Sequence, residues 1–539
     1  MSHLELVISP LHMRRIRITK PTGSQILAAG SGILFSVSLF SSALGILGWI
    51  CFVPLLVALQ GKSASRSLRL GMISGTSMNL VSLYWLVGTL TRFGEIPLLA
   101  SIAAVFIFCV YSSLQFGIFT WYISRLGLCR GKSVANALMI SFAWVVAEFF
   151  FPVLFPYGIG VSQSYYPTVI QVVDTLGVNF LGFLMFFANV SVFYLLDDMQ
   201  QRRKPVFAPP VISIAVIAIV LGYGTFRIDE IEELLETEPR VEIAMVQANF
   251  DYAEKNLDNE PIITEKHREM SREFTEVDIV IWPETSVQHW FPKEESVYRI
   301  DYQRNVVPTG HTAHFLIGGL SFIQDPALLE DGWDEEDHRK YNTAFLVDPQ
   351  SNILGQYSKT RLFLLGEYFP WINEELKFLK RVFPMIGDLT PGEGPKVLEV
   401  PGKNLRIGPL ICYEDIMAEL SRNYVKTGAN LLVNLTNDAW FGRSVAPHQH
   451  LLLSIPRAVE TRRYLVRSTN SGISAIVSPT GEIEARTDIF TTENLKGEVV
   501  LIDSLETLYT RVGDIFAWVA LAMTALFAAK KYLGRKYAD

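Results

Sequence analysis

Four cysteines lie in the 539-residue chain, and only one of them falls in its polar half. Cys51 and Cys109 sit in long apolar runs and Cys129 just beyond the end of one, whereas Cys412 ends the stretch LRIGPLIC and is followed by Tyr413, Glu414 and Asp415. Two other chemically useful residues also follow apolar, β-branched segments directly. Glu284 closes VDIVIWPE (277–284), and Lys359 follows ILGQYS (353–358). A side chain at the mouth of a buried strand is a common site position. Singly, each has a bland reading: a buried small hydrophobe for Cys412, solvated loop charges for Glu284 and Lys359. Together they have a chemical logic. A thiol attacks a carbonyl carbon once it loses its proton, and a nearby carboxylate can take that proton. An ammonium group stabilises the thiolate and then the oxyanion of the tetrahedral intermediate, and the backbone N–H of Tyr413 could supply a second donor to that oxyanion.

These three residues must be positioned by a folded α/β unit. Apolar segments recur at 241–249, 277–284, 314–322, 343–349, 405–414, 430–438, 474–483 and 497–503. Several are apolar at nearly every position, as strands covered on both faces are. DPQSN (348–352) and SPTG (478–481) are turn chemistry and predict hairpins. Helices are expected at 260–275, 294–307, 414–427 and 447–464. Strands alternating with helices, plus hairpins, predict a layered α/β domain with mixed sheets. The acidic stretch EDGWDEED (330–337) reads as a solvated insertion.

The rest of the chain is of another kind. Half of the residues are hydrophobic and the mean hydropathy is +0.26, which points to membrane spans rather than an ordinary water-soluble enzyme. Ile26–Leu59 carries no charge and is long enough for two spans; 72–90, 97–124, 134–156 and stretches near 170–196, 206–224 and 512–530 follow. About eight spans are therefore expected. Arg14, Arg15, Arg17 and Lys20 precede the first apolar run, but no short apolar core with a cleavage site follows, so that run reads as an uncleaved first helix. Alternate loops are basic: Lys62, Arg66 and Arg69; Arg125, Arg130 and Lys132; Arg202, Arg203 and Lys204; then Lys530, Lys531, Arg535 and Lys536 at the end. Basic loops stay cytoplasmic, which puts both termini inside and the polar domain outside. The expected organisation is a membrane domain over 1–224 with about seven helices, an extracytoplasmic catalytic domain over 225–508, and a last helix with a cytoplasmic tail over 509–539. A net charge of −7 gives no global cationic surface, so a nucleic-acid partner has no support.

WPET (282–285), YSKTRLFLLGEY (357–368) and ICYED (411–415) resemble the Glu–Lys–Cys motifs of the nitrilase superfamily. VQAN (246–249), TNDAWFG (436–442), PHQHL (447–451), RAVETRRYLVRSTNSG (457–472) and LYWLVGTLTRFG (83–94) narrow the resemblance to its membrane-bound branch, the apolipoprotein N-acyltransferase family. The resemblance covers nearly the whole chain. It implies an αββα sandwich of nitrilase type beside the helical membrane domain. It implies Glu284 as general base, Lys359 as oxyanion-stabilising cation and Cys412 as nucleophile, supported by Glu367, Tyr413 and Glu414. The family pattern has Val-Pro-Phe where this chain has Phe363-Leu364-Leu365, and a tryptophan where this chain has residues near Asn256.

The activity so implied is a two-step transfer. Cys412 takes an acyl chain from a phospholipid, phosphatidylethanolamine being the expected donor, and holds it as a thioester. The α-amine of a diacylglyceryl-cysteine apolipoprotein then accepts it. No cofactor and no metal are expected; His448 and His450 in PHQH lack the further ligands of a metal site. The implied setting is the bacterial inner membrane, with the catalytic domain facing the periplasm and the protein acting as a monomer. WINEELKFLKRVFPMIG (371–387) reads as an interfacial amphipathic helix or lid, or else as a helix packed on its own domain. Trp290 and Phe291 read as a lipid-facing element or as core, and Asn79, Glu148, Asp174 and Asn189 as polar residues that hold spans together. A membrane-bound amidase and a non-catalytic lipid-binding relative are the competing readings. The spans argue against the first and the presence of all three motif residues against the second.

Overall fold

The computed structural model describes residues 22–251, 259–300, 304–324, 338–364, 366–368 and 387–536. Five of the described helices are long and apolar enough to cross a membrane: Ser42–Leu59, Leu98–Arg125, Val173–Gln200, Ala208–Thr237 and Ile515–Leu533. Ala64–Ser82 and Trp85–Arg92 together form a sixth, bent by 56° at the break between them. Gly23–Ser38 and Val134–Phe150 are shorter apolar helices. Each apolar stretch expected to span thus contains helix. Ala208–Thr237 runs well past the expected end near 224.

Apolar side chains have no water to escape inside a bilayer, so close packing and hydrogen bonds must join the helices. Gly71 lies directly on the Phe116 carbonyl and the Thr120 side chain, where any Cβ would collide. Thr120 Oγ1 donates to the Ser67 carbonyl at 2.8 Å, and the Ser36 and Ser82 hydroxyls lie 2.7 Å apart. Trp144 is the centre of an aromatic cluster with Phe35, Phe52, Phe116, Phe119 and Phe186. The polar residues within these helices serve the same purpose. Asn79 is the exception, donating to the Gly75 carbonyl one turn back in its own helix. Asn189 accepts from the Phe52 N–H at 2.8 Å and donates to the Gly48 carbonyl. Glu148 accepts from the Ile159 N–H.

The domain between the last two long helices is a sandwich of two six-stranded mixed sheets. The strands are β1 (Arg240–Gln247), β2 (Ile279–Pro292), β3 (His314–Gln324), β4 (His338–Val347), β5 (Ile353–Ser358), β6 (Leu398–Val400), β7 (Leu405–Ile411), β8 (Leu431–Thr436), β9 (Tyr464–Thr469), β10 (Ala475–Val477), β11 (Ile483–Arg486) and β12 (Glu493–Val500). The order is β12-β1-β2-β3-β4-β5 in one sheet and β11-β10-β9-β8-β7-β6 in the other. The three central strands of each, β1-β2-β3 and β7-β8-β9, run parallel, and the flanking pairs run antiparallel.

Side chains alternate across a strand, which explains why these strands are apolar on both faces. Ile243, Met245, Ile279 and Ile281 join Leu410, Val433 and Leu465 in the core that contains the second sheet. Their neighbours Ala244, Val246, Val280 and Trp282 form a second cluster, against which Met270 of the outer helix Glu260–Ser271 packs. On the far side of the second sheet lie helices Ala418–Lys426 and Ala446–Thr461. The latter is buried at every residue except His448, because it lies between the sheet and the membrane helices.

One expected helix is absent. The described residues of 294–307 hold only isolated bridges, Val297 to Asn352 and Arg299 to Asn305. Their apolar side chains are used individually: Tyr298 is fully buried against Phe291 and Phe345, and Val306 is fully buried in the same cluster. Both expected hairpin turns are present. In the first, Asp348 Oδ1 accepts from the N–H groups of Gln350 and Asn352, the local bonding that makes aspartate a turn residue.

Two groups of contacts seat the sandwich on the helices. Arg462, wholly buried in a left-handed position (φ 52°), pairs with Asp174 at 2.7 Å. Asp174 also accepts from Arg227 and Tyr223. Near the active face, Gln449 Oε1 accepts from Trp85 Nε1 and Tyr157 Oη, and Thr89 Oγ1 donates to the Trp440 carbonyl at 2.9 Å.

Candidate active site

Glu284 lies within β2 rather than at its end. Regular pairing with β3 runs to Trp282, breaks, and resumes at Val287. Thr285 takes a left-handed backbone at φ 48°, and Gly318 of β3 approaches so closely that a Cβ there would lie 2.7 Å from Glu284 Cα. The irregularity turns the Glu284 carboxylate into the interior, where the residue is 6% exposed.

Lys359 follows β5. Its side chain is 1% exposed, and its Nζ lies 2.8 Å from Glu367 Oε1 and 3.8 Å from Glu284 Oε1. Burial alone would depress the pKa of this amine, but Glu367, Cys412 and Glu284 together raise it well above the ordinary lysine value. Lys359 is therefore a fixed cation. The Phe363 N–H in turn holds Glu367 Oε2 at 2.7 Å.

Asn342 of β4 connects the two carboxylates. Its Nδ2 donates to Glu284 Oε1 at 2.7 Å and to Glu367 Oε1 at 3.3 Å, while its carbonyl accepts from the Lys359 N–H at 2.8 Å. It is the residue just before TAFLVDP. The apolar pattern marks that strand only from Thr343 onward, so no sequence signal points to a polar residue facing the site at its inner end.

Cys412 occupies the first position after β7 with φ 56°, a conformation costing about 1–2 kcal/mol for a residue with a Cβ. It is unpaired, as are the other three cysteines. Two neighbours hold the turn. Asn434 of the adjacent strand β8 donates to the Cys412 carbonyl at 2.8 Å. Glu414, completely buried, accepts from the N–H groups of Ile411 (2.8 Å), Thr360 (2.8 Å) and Arg361 (2.9 Å), and from Tyr357 Oη. Glu414 thus ties the lysine loop to the Cys412 turn. Burial raises its pKa, opposed by the Lys359 cation and by those N–H donors. Tyr413 donates its hydroxyl to the Leu362 carbonyl at 2.9 Å, and its ring lies 5.5 Å from Lys359 Nζ.

The environment of the sulfur is also resolved. Burial pushes the Cys412 thiol up from its ordinary value, Glu284 adds to the rise, Lys359 opposes it, and Glu367 and Asp438 raise it further. A half-buried, protonated thiol under the influence of a carboxylate and a fixed cation is suited to attack coupled to proton transfer.

PHQH has a structural explanation among the described residues. His450 Nδ1 lies 2.9 Å from Asp438 Oδ1, and its Nε2 lies 2.9 Å from Asp415 Oδ1. Both ring nitrogens are thereby used, and Arg467 pairs with Asp415 from β9. Burial lowers the Arg467 pKa to about 9, an effect that Cys412 and Tyr165 oppose. Among the described residues, no group of three or more His, Cys, Asp or Glu is arranged to hold a metal ion. VQAN is likewise structural: Gln247 Oε1 accepts from the hydroxyls of Thr469, Ser474 and Thr487. Phe291 is 6% exposed and belongs to the core, so of the two proposed lipid contacts it is removed. Trp290 stands 5.4 Å from Lys340 Nζ. Positions 371–386 of the expected amphipathic helix, the loop 330–337, Asn256 and Leu365 lie outside the described residues.

Residues 242–505 match the carbon-nitrogen hydrolase family, and residues 31–191 match the family described as the apolipoprotein N-acyltransferase N-terminal domain. The chain is 34% identical to the apolipoprotein N-acyltransferase of Geobacter metallireducens, over 96% of this chain and 97% of that one. It is 28% identical to the apolipoprotein N-acyltransferase of Bdellovibrio bacteriovorus, over 84% and 83% of the two chains. It is also 28% identical to that of Borreliella burgdorferi, over 92% and 94%. A solved structure of Saccharomyces cerevisiae Nit3, a member of branch 10 of the nitrilase superfamily, covers 51% of this chain at 18% identity with a TM-score of 0.35.

Proposed function

Since this chain belongs to the apolipoprotein N-acyltransferase family, we propose that it moves a fatty acyl chain from a phospholipid, through a thioester on Cys412, to the α-amine of a diacylglyceryl-cysteine apolipoprotein. The observation that carries this reading is the buried Lys359 ammonium, set between the carboxylates of Glu367 and Glu284 and within the electrostatic reach of the Cys412 sulfur.

In the first step Glu284 takes the thiol proton as the sulfur attacks the donor ester. Lys359 and the Tyr413 N–H stabilise the oxyanion. The C–O bond breaks, and the proton returns from Glu284 to the departing lysophospholipid alkoxide. In the second step the acceptor amine attacks the thioester, and Cys412 is restored as the C–S bond breaks. Thioester to amide is downhill and draws the whole transfer from ester to amide forward, so the reaction needs no ATP. Glu367 and Asn342 hold Lys359 and Glu284 in place, and Glu414 holds the turn. Phosphatidylethanolamine is the expected donor.

The reading extends to the cell. Residues 1–224 and 509–539 would lie in the bacterial inner membrane with both termini in the cytoplasm, and residues 225–508 would face the periplasm, the protein acting as a monomer. The alternation of basic loops supports this orientation.

Intact-mass analysis tests the core of the proposal. The purified protein is incubated with phosphatidylethanolamine and no acceptor, beside Cys412→Ala. A gain of one fatty acyl group, labile to hydroxylamine and absent from the variant, is expected. No adduct on wild-type protein with bound phospholipid overturns the thioester route.

A further inference from the structure

Aminolysis of a thioester leaves one proton unaccounted for by Glu284. An α-amine has a pKa of about 7.7–8.0, so at neutral pH most of the acceptor arrives as an ammonium ion. The balanced step is thioester plus R–NH3⁺ giving amide, thiol and H⁺. Glu284 can carry one proton from nitrogen to sulfur. The other must leave before nitrogen has a lone pair with which to attack.

A row of buried groups beside the nucleophile is suited to take it. Asp438, two residues after β8, is 1% exposed. Its Oδ1 bonds His450 Nδ1 at 2.9 Å, while its Oδ2 has no hydrogen-bond partner among the described residues. The carboxylate lies on the bare Cα of Gly472, where any Cβ would collide with it. Its charge is felt at the Cys412 sulfur. On the other side, His450 Nε2 bonds Asp415 Oδ1 at 2.9 Å, and Asp415 is three residues after Cys412. A neutral imidazole has one N–H, yet both of its nitrogens face carboxylate oxygens. The row can therefore gain a proton and a hydrogen bond together. Asn434, whose Nδ2 holds the Cys412 carbonyl, also keeps a buried Oδ1 without a partner among the described residues. The titratable and charged groups around Asp438 are His450 on the helix Ala446–Thr461, Cys412 and Asp415 on the nucleophile turn, and Arg467 on β9 behind Asp415. Across the sulfur lie Glu284, Lys359 and Glu367.

From this geometry we infer that Asp438 receives the primary ammonium of the acceptor and takes its first proton, with His450 as a positioning residue that spreads the charge toward Asp415. This assignment rests on the acyl transfer proposed above. The free amine then forms the C–N bond and the C–S bond breaks. Glu284 moves the second proton from nitrogen to the Cys412 sulfur, and the Asp438 row releases the first to water. Glu284 and Asp438 thus divide the two protons of the step.

The test separates the two half-reactions. Full-length protein is acylated with phosphatidylethanolamine in a first stage, transferred into phosphatidylcholine nanodiscs that hold no primary amine, and mixed with a synthetic diacylglyceryl-cysteine peptide between pH 6.5 and 9.5. For Asp438→Asn, aminolysis at pH 6.5 is expected to fall about 100-fold, and acylation by much less. The aminolysis deficit should shrink to about 5-fold at pH 9.5, where the amine is free without help. His450→Gln should show the same pH-shaped deficit at smaller size, and it decides the matter if Asp438→Asn does not fold. A deficit that is equal at all pH values, or equal in both half-reactions, overturns the inference while leaving the thioester route standing. Failure of the wild-type protein to acylate at all would instead remove the proposed function and this inference with it.

Discussion

Lys359 Nζ lies closer to Glu367 than to Glu284, 2.8 Å against 3.8 Å. The carboxylate that fixes the cation is thus not the one assigned to move protons. Glu284 keeps a longer contact to the ammonium and is held instead by the neutral amide of Asn342. In the proposed transfer this division would let Glu284 gain and lose a proton without releasing Lys359.

Glu284→Gln should therefore lower the rate of thioester formation by about 10³-fold, the range expected for loss of a general base. Glu367→Gln should cost less, about 10- to 100-fold, because Lys359 is displaced while the base remains. Single-turnover acylation followed by mass spectrometry measures both. Equal losses in the two variants would contradict the division of roles.

The Cys412 thiol is pushed up by burial and by the Glu284 carboxylate. A raised thiol pKa means little thiolate at neutral pH. Alkylation of Cys412 by iodoacetamide, read by peptide mapping, should be slower at pH 7 than that of free cysteine and should climb steadily as pH rises. In Glu284→Gln the negative charge is gone, the pKa falls, and alkylation at pH 8 should be faster than in wild type although turnover is lost. Slower alkylation in that variant would refute the assigned electrostatics.

Arg462 is 0% exposed and bonded to Asp174 across the junction of sandwich and membrane helices. Removing one partner of a buried pair leaves the other uncompensated, which costs about 3–5 kcal/mol. Asp174→Ala should lower the thermal midpoint sharply, and Arg462→Met in the same chain should recover much of the loss. Additive losses in the double variant would show that the two side chains do not act as a pair.

Some of this was legible in the sequence because it depends on local order. Uncharged runs of sufficient length announce helices that can cross a membrane, and strands apolar at every position announce sheets covered on both faces, as β1 and β2 are. Glu284, Lys359 and Cys412 were visible because each interrupts such a run. Where the chain was read through periodicity alone it misled: 294–307 has apolar spacing but buries Tyr298 and Val306 one by one. What only the tertiary structure decided is which residues meet. Asn342 looks like an ordinary strand residue until β4 lies between the two carboxylates. Glu414 looks like an exposed charge until its oxygens collect the N–H groups of Ile411, Thr360 and Arg361. Asp415, Asp438, His450 and Arg467 are spread over 53 positions and come together only through the packing of β7, β8, β9 and the helix behind them. The physical reason is that hydrophobic pattern is written along the chain, residue by residue. A polar group's meaning depends on its partners, and those are set by a register that no single segment contains.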